Sequence, residues 1–196
     1  MPLALPFLDA MFLVASAGKL FHFPSVRGTM NYTLKTVDWN WLTSHADAQA
    51  RVDAILDWPE GRYEDTTISI LSGSMFMCFT ELLWDLASND FKKSGQLIRI
   101  GLLPMLVPLE SGMDELGLGK VPDSPIYTTM SPESVARAVE ACASLDLLAM
   151  KKEITENSEY DLDDFEPEEI ASLLDDVVKA LQQAKATGRG IIGTCC

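Results

Sequence analysis

Histidine is nearly absent from this sequence. His22 and His45 are the only two, so a zinc site built on imidazole is not expected. Cysteine is sparse too, with Cys78, Cys142, Cys195 and Cys196. No pair has the C-x-x-C spacing, and the pattern is not that of a disulfide scaffold. Cations are the third shortage: 15 Lys and Arg stand against 29 Asp and Glu, a formal net charge of -14. That balance argues against nucleic acid, whose phosphates would be repelled, and against anionic membrane surfaces. It favours solubility and basic partners. The apolar stretch Leu3 to Ala17 has no basic residue ahead of it and is broken by Pro6 and Asp9. A spanning helix needs roughly 20 apolar residues, so this one reads as a buried helix.

Core material is plentiful. Hydrophobic residues make up 47% of the chain, enough that the net charge does not imply disorder. At 196 residues the chain reads as one domain, 1–196, in the cytoplasm. Cys78, within Met-Phe-Met-Cys-Phe, and Cys142, on an apolar helix face, read as small core hydrophobes. Cys195-Cys196 follows Ile191-Ile192 and reads as the end of an ordered strand, where a lipidation signal would need a flexible tail.

Periodicity predicts short helices and strands in alternation. Phe7–Ala17 reads as a helix, and Leu20–Val26 and Thr33–Val37 as strands. Trp39–Trp58 reads as a helix stopped by Pro59 and Gly61, and Thr66–Leu71 as a strand. Ser74–Phe91 reads as a helix with Gly95 closing its segment. Gln96–Pro108 is apolar, but Arg99, Gly101 and two prolines argue against a long helix there. Ser111–Pro125 reads as a loop. Ser131-Pro132-Glu133 predicts a helix start: a cap, a proline suited to the first position and an acid at the positive dipole end. A second such start is predicted near Pro167, with Ile170, Leu173, Leu174, Val177, Leu181 and Ala184 as the buried stripe. Gly188 and Gly190 end that helix, and Gly190–Cys196 returns as a strand. The expected fold is α+β and helix-rich, with a small mixed or antiparallel sheet.

No constellation for catalysis emerges. Ser44-His45-Ala46-Asp47 gathers triad residue types, but neighbours on one helical turn point in different directions. Cys78 with a distant His45 fails because apolar surroundings disfavour a thiolate. Asp161-x-Asp163-Asp164 resembles a calcium loop but carries Glu166 where the sixth-position glycine is needed and Ser172 at the twelfth. Gly112–Lys120 matches no phosphate-binding pattern. The reading assigns no catalytic residue, no cofactor and no metal. Trp39, Trp41, Trp58 and Trp84 read as core or rim anchors.

The positive signal is an acidic run. From Glu153 to Asp176 there are eleven carboxylates and no Lys or Arg. Carboxylates accept bidentate bonds from Arg, and opposed fields accelerate encounter. Glu156, Glu159, Asp161, Asp163, Asp164, Glu166, Glu168 and Glu169, with Tyr160 and Phe165 as aromatic anchors, are the candidate surface for a basic protein partner.

The last third carries a further pattern. A Ser-Pro-Glu helix start at 131–133, a helix end in Ala-Cys-Ala-Ser-Leu-Asp-Leu-Leu at 141–148, a charged irregular stretch through Tyr160, and a long helix closing on Gly188 before a strand resemble the YfbM-like family of bacterial proteins. Leu83-Trp84-Asp85 is the nearest match to that family's Trp-bearing helix. The resemblance implies an α+β fold, no known catalytic residues and, from the genomic company of some members, a link to toxin and immunity loci. Together these signals lead to a protein-binding module of immunity or antitoxin type that covers the active site of a basic toxin domain. The alternatives are a small enzyme or small-molecule binder whose site is assembled from dispersed residues, and a housekeeping protein of unspecified role.

Overall fold

The computed structural model describes residues 31–57, 59–68, 71–88, 92–106, 114–157, 162 and 165–195. The helix expected at Phe7–Ala17, the strand expected at Leu20–Val26, Trp58 and Cys196 lie outside them. In chain order the elements are β1 (Asn31–Val37), α1 (Trp39–Thr43), α2 (Ala48–Leu56), β2 (Tyr63–Asp65), β3 (Leu71–Ser72), α3 (Gly73–Ser88), α4 (Lys92–Gly101) and α5 (Leu103–Leu106). A single 3-10 turn (Leu118–Lys120), β4 (Ile126–Met130), α6 (Pro132–Ala143), α7 (Leu147–Glu156), α8 (Pro167–Thr187) and β5 (Gly190–Cys195) follow. The fold is α+β and helix-rich, with an antiparallel sheet.

The sheet runs β2-β1-β5-β4, with β3 sharing the outer edge of β1 with β2. The last strand therefore lies between the first and the fourth. Its sequence explains that position: Ile191 and Ile192 are both fully buried, so both faces of β5 are covered. Successive side chains point to opposite faces. Ile191, Leu34 and Met130 accordingly join a large core with α3 to α8. Ile192, Val37 and Ile126 join a smaller one with Leu42, Val52, Ile55 and Leu118. The sheet is thus the middle layer, with α1 and α2 on one side and the longer helices on the other.

Glycines allow the close approaches in β5. A Cβ on Gly190 would run into the Trp39 ring, and one on Gly193 into the Tyr127 ring and the Thr128 methyl. Tyr127 lies across β5 at Gly193 and meets Tyr32 and Phe76 edge-on, both at 5.4 Å between ring centres. Tyr32 and Phe76 stack on each other.

Several expectations hold. Ser131 Oγ accepts from the Ser134 amide and Pro132 takes the first position of α6. Gly188 closes α8 in the left-handed conformation at φ 65°, and the Arg189 amide bonds the Ala184 carbonyl. β1 and β5 form as strands, and Cys78 and Cys142 are buried.

Others are corrected. The helix expected over Trp39–Trp58 breaks at Ser44–Asp47 because short polar side chains satisfy the backbone better there. Ser44 Oγ donates to the Trp41 carbonyl at 2.7 Å, and Asp47 Oδ1 accepts from the Ala50 amide at 2.9 Å, starting α2. His45 Nδ1 sits 3.0 Å from the Trp41 carbonyl, which can only accept, so Nδ1 carries the proton. Of the strand expected at Thr66–Leu71, residues 66–68 form a loop and Leu71 opens the two-residue β3, while residues 69 and 70 lie outside the described residues. In its place Thr66 Oγ1 donates to the Leu34 carbonyl and accepts from the Ile68 amide, while the Leu34 amide bonds the Ile68 carbonyl. A loop thereby completes the ladder of β1.

Gly95 does not end a segment. It lies inside α4, where a Cβ would come within 2.5 Å of the Ala87 carbonyl oxygen, so its role is to let α4 close on α3. The apolar stretch after it forms the end of α4 and the single turn α5. The helix expected to end at Leu148 stops at Ala143, and a new one runs from Leu147 through residues 149–156, where an irregular stretch was expected. Asp146 Oδ1 accepts from the Ala149 amide and starts α7, which buries Met150 and Ile154. Leu118–Lys120 makes a 3-10 turn within the expected loop, and Asp114 fastens that loop to Thr129 Oγ1 at 2.8 Å.

Gly193→Ala should lower stability by about 1–3 kcal/mol, because its Cβ overfills the contact with Tyr127. A urea midpoint equal to that of the wild type would contradict this account of β5.

Candidate functional site

The acidic run falls on a helical hairpin. α7 and α8 bury Met150, Ile154, Ile170 and Leu174 in the main core and leave their outer faces to solvent. Glu166 precedes α8, and Glu168 and Glu169 lie in its first turn, where carboxylates complement the positive end of the dipole. Glu169 Oε2 also accepts from the Glu166 amide at 3.4 Å. Glu169 therefore has a capping duty besides any role in recognition. Glu156, at the end of α7, is 3.7 Å from Lys152 in an exposed pair worth little. Phe165 is half-buried and packs against the main core, so it is anchored inward. Glu159, Tyr160, Asp161, Asp163 and Asp164 lie outside the described residues.

Between the two helices runs an open groove of about 540 Å³, bordered by Leu148, Lys151, Lys152, Thr155, Glu168 and Asp175 among others. Leu148 is 78% exposed, the most exposed large apolar side chain among the described residues. Lys151 Nζ makes a short bond to Asp175 Oδ2 across the groove. Among the described acids of the expected surface, Glu168 is the one that reaches this groove. In the sequence Leu148 stands as the last residue of an expected helix and the two lysines as part of an irregular stretch, so the groove they share is not visible. Asp146 ahead of Leu147-Leu148 was the available signal, as a cap before an apolar pair.

A second concavity, about 310 Å³, lies where three helix ends converge. Asp38, Trp39 and Asn40 come from the start of α1, Pro132 from the start of α6, and Thr187, Gly188 and Arg189 from the end of α8. Asp38 Oδ1 accepts from the Trp41 amide at 3.0 Å, and Oδ2 accepts from Arg62 Nη1 at 2.8 Å. The Trp41 amide above all, with Arg62 and Arg189 adding to it, holds the Asp38 carboxyl below its ordinary range against the opposing effect of burial. Arg189 Nη2 donates to the Gly61 carbonyl at 3.2 Å and pairs with Glu64 at 3.3 Å, while its Nη1 is buried with no hydrogen-bond partner. Nothing in the spacing of these residues marks the cleft in the sequence, since they come from three distant segments.

Burial holds one thiol and two phenols in their neutral forms. Burial pushes the Cys142 thiol up to about 12. Burial, followed by the charge and hydrogen bond of Cys195, pushes Tyr32 up to about 12 as well. Tyr127 is raised well above the usual phenol value by burial, with Tyr32 and Cys195 adding to it. Among the described residues, no three His, Cys, Asp or Glu side chains are grouped as metal ligands would be, and no helix is long and apolar enough to cross a membrane.

Asp38→Ala should cost about 1 kcal/mol through loss of the α1 cap. Because the folded-state value of Asp38 is depressed, its contribution is present above the unfolded value of about 3.9 and disappears as pH falls through the lower folded one. Urea midpoints of the two proteins should therefore differ at neutral pH and converge in acid as the pH falls through the lower folded-state value. A gap independent of pH would show that Asp38 acts without its charge.

Searches of protein-family profiles, of curated proteins and of solved structures found no match to this chain.

Proposed function

We propose that this chain is a protein-binding module of immunity or antitoxin type, which neutralises a basic partner by laying an acidic surface over its active site. The observation that carries the reading is the segregation of charge: eleven carboxylates and no cation between Glu153 and Asp176. Of its described members, Glu156, Glu166, Glu168 and Glu169 are exposed and sit at the end of α7 and the start of α8, while Glu153, Asp175 and Asp176 are half-buried. An exposed carboxylate costs little to desolvate against a guanidinium that bonds it in return, and rim charges of this kind act mainly on the association rate. The resemblance of residues 131–196 to the YfbM-like family points the same way through the loci of some members.

The cleft at Arg189 favours a second reading, a small-molecule binder. A buried guanidinium nitrogen without an acceptor, beside Asp38 and Trp39, is the type of group a ligand oxygen would satisfy.

The first reading is tested with the protein encoded by the neighbouring gene, immobilised and titrated with this chain. Association should slow several-fold from low to high ionic strength, as screening shortens to a Debye length of about 3 Å at 1 M salt. The triple variant Asp161→Lys, Asp163→Lys, Asp164→Lys should lose most of the association rate. Unchanged binding by that variant, or no binding by the wild type, removes the reading. Quenching of Trp fluorescence by small ligands, abolished in Trp39→Phe, would favour the second.

A further inference from the structure

The α7–α8 groove has a charge pattern unlike the acidic run beside it. Its α7 wall carries Lys151 and Lys152, and its α8 wall carries Glu168 and Asp175. A basic partner would meet two lysines there, and an acidic one two carboxylates. A second copy of the same surface, turned by a two-fold axis running along the helices, meets neither problem. The α7 wall of each copy then faces the α8 wall of the other, which is the self-complementarity an isologous contact requires. Leu148, 78% exposed at the start of α7, gains apolar cover from the opposite copy, as do Ala171 and the methylene stems of the lysines. We infer that this chain forms a symmetric homodimer through the α7–α8 face, with Leu148 as its apolar anchor and Lys152 of each copy set against Glu168 of the other.

The dimer is a weak one. α7 is ten residues, about 15 Å long, and two helices lie about 8–10 Å apart between axes. The shared face is therefore smaller than the roughly 800 Å² per partner typical of stable interfaces. A net charge of -14 on each chain also drives copies apart. Added salt screens that long-range repulsion while leaving the apolar contact intact, so the dimer strengthens with salt. This is opposite to the salt response of binding to a basic protein, and the two surfaces can be told apart by it.

The test is sedimentation of the full chain from low to high micromolar concentration, at low and at high salt. The weight-average mass should climb from 21.6 kDa towards twice that value, further at high salt. Leu148→Asp, at a site too exposed to disturb the core, should raise the dissociation constant at least tenfold. Lys152→Glu and Glu168→Lys should each weaken self-association several-fold, and an equimolar mixture of the two should associate as well as wild type, because both contacts are then complementary. An effect of Lys152→Glu on its own neighbour Glu156 would persist in the mixture, so restoration is specific to the contact between copies. A wild-type mass of one chain under every condition, a dimer unaffected by Leu148→Asp, or a mixture no better than its components would each overturn the inference.

Discussion

The fold depends on the insertion of its last strand between its first and fourth. β5 contributes no large side chain beyond Ile191 and Ile192, yet it supplies apolar surface to both cores at once. Without it, β1 and β4 would each present an unpaired edge, and the longer helices would lose the floor on which they pack. Two glycines make the insertion possible, since Trp39 and Tyr127 occupy the space their side chains would need. The contact joins residues some 160 positions apart, so the ordering of β5 is the costly non-local step in forming the sheet.

The exposed elements follow a different logic. The first-turn acids of α8 complement the helix dipole, and Glu169 bonds the Glu166 amide. The same carboxylates that stabilise the helix therefore create the field around it. Capping acids occur on many helices, and the unusual feature here is their number and the absence of any cation between Glu153 and Asp176. Immediately beside them, Lys151 and Lys152 return positive charge to the groove. One hairpin thus presents two surfaces of different electrostatic character within a few turns of helix.

Elements with local punctuation could be read directly. Ser131-Pro132 starts α6, Gly188 ends α8, and the 3-and-4 spacing from Ile170 to Ala184 marks a stripe that is buried along its length. Elements whose local signals conflicted were misread. Gly95 looked like a stop because glycine usually is one, but it is dictated by the approach of Ala87 on another helix. α7 was hidden because its buried face is only Met150 and Ile154, and the charges around them look like those of a loop. The break between α1 and α2 turns on a hydrogen bond donated by Ser44 and one accepted by Asp47, which periodicity does not register. Of the candidate surface, the acids were visible as composition, whereas Leu148 and the Arg189 cleft were not.

The sequence by itself determined the helix-rich α+β class, the caps that begin and end α6 and α8, and the separation of charge, because each depends on residues close together in the chain. Only the tertiary structure decided that β5 is central, that Gly95 and Gly193 are contact points and that Arg189 meets Asp38, Trp39 and Pro132 around one cleft. These are close approaches between segments far apart in sequence. Their geometry is set by how the layers pack, and no local propensity encodes it.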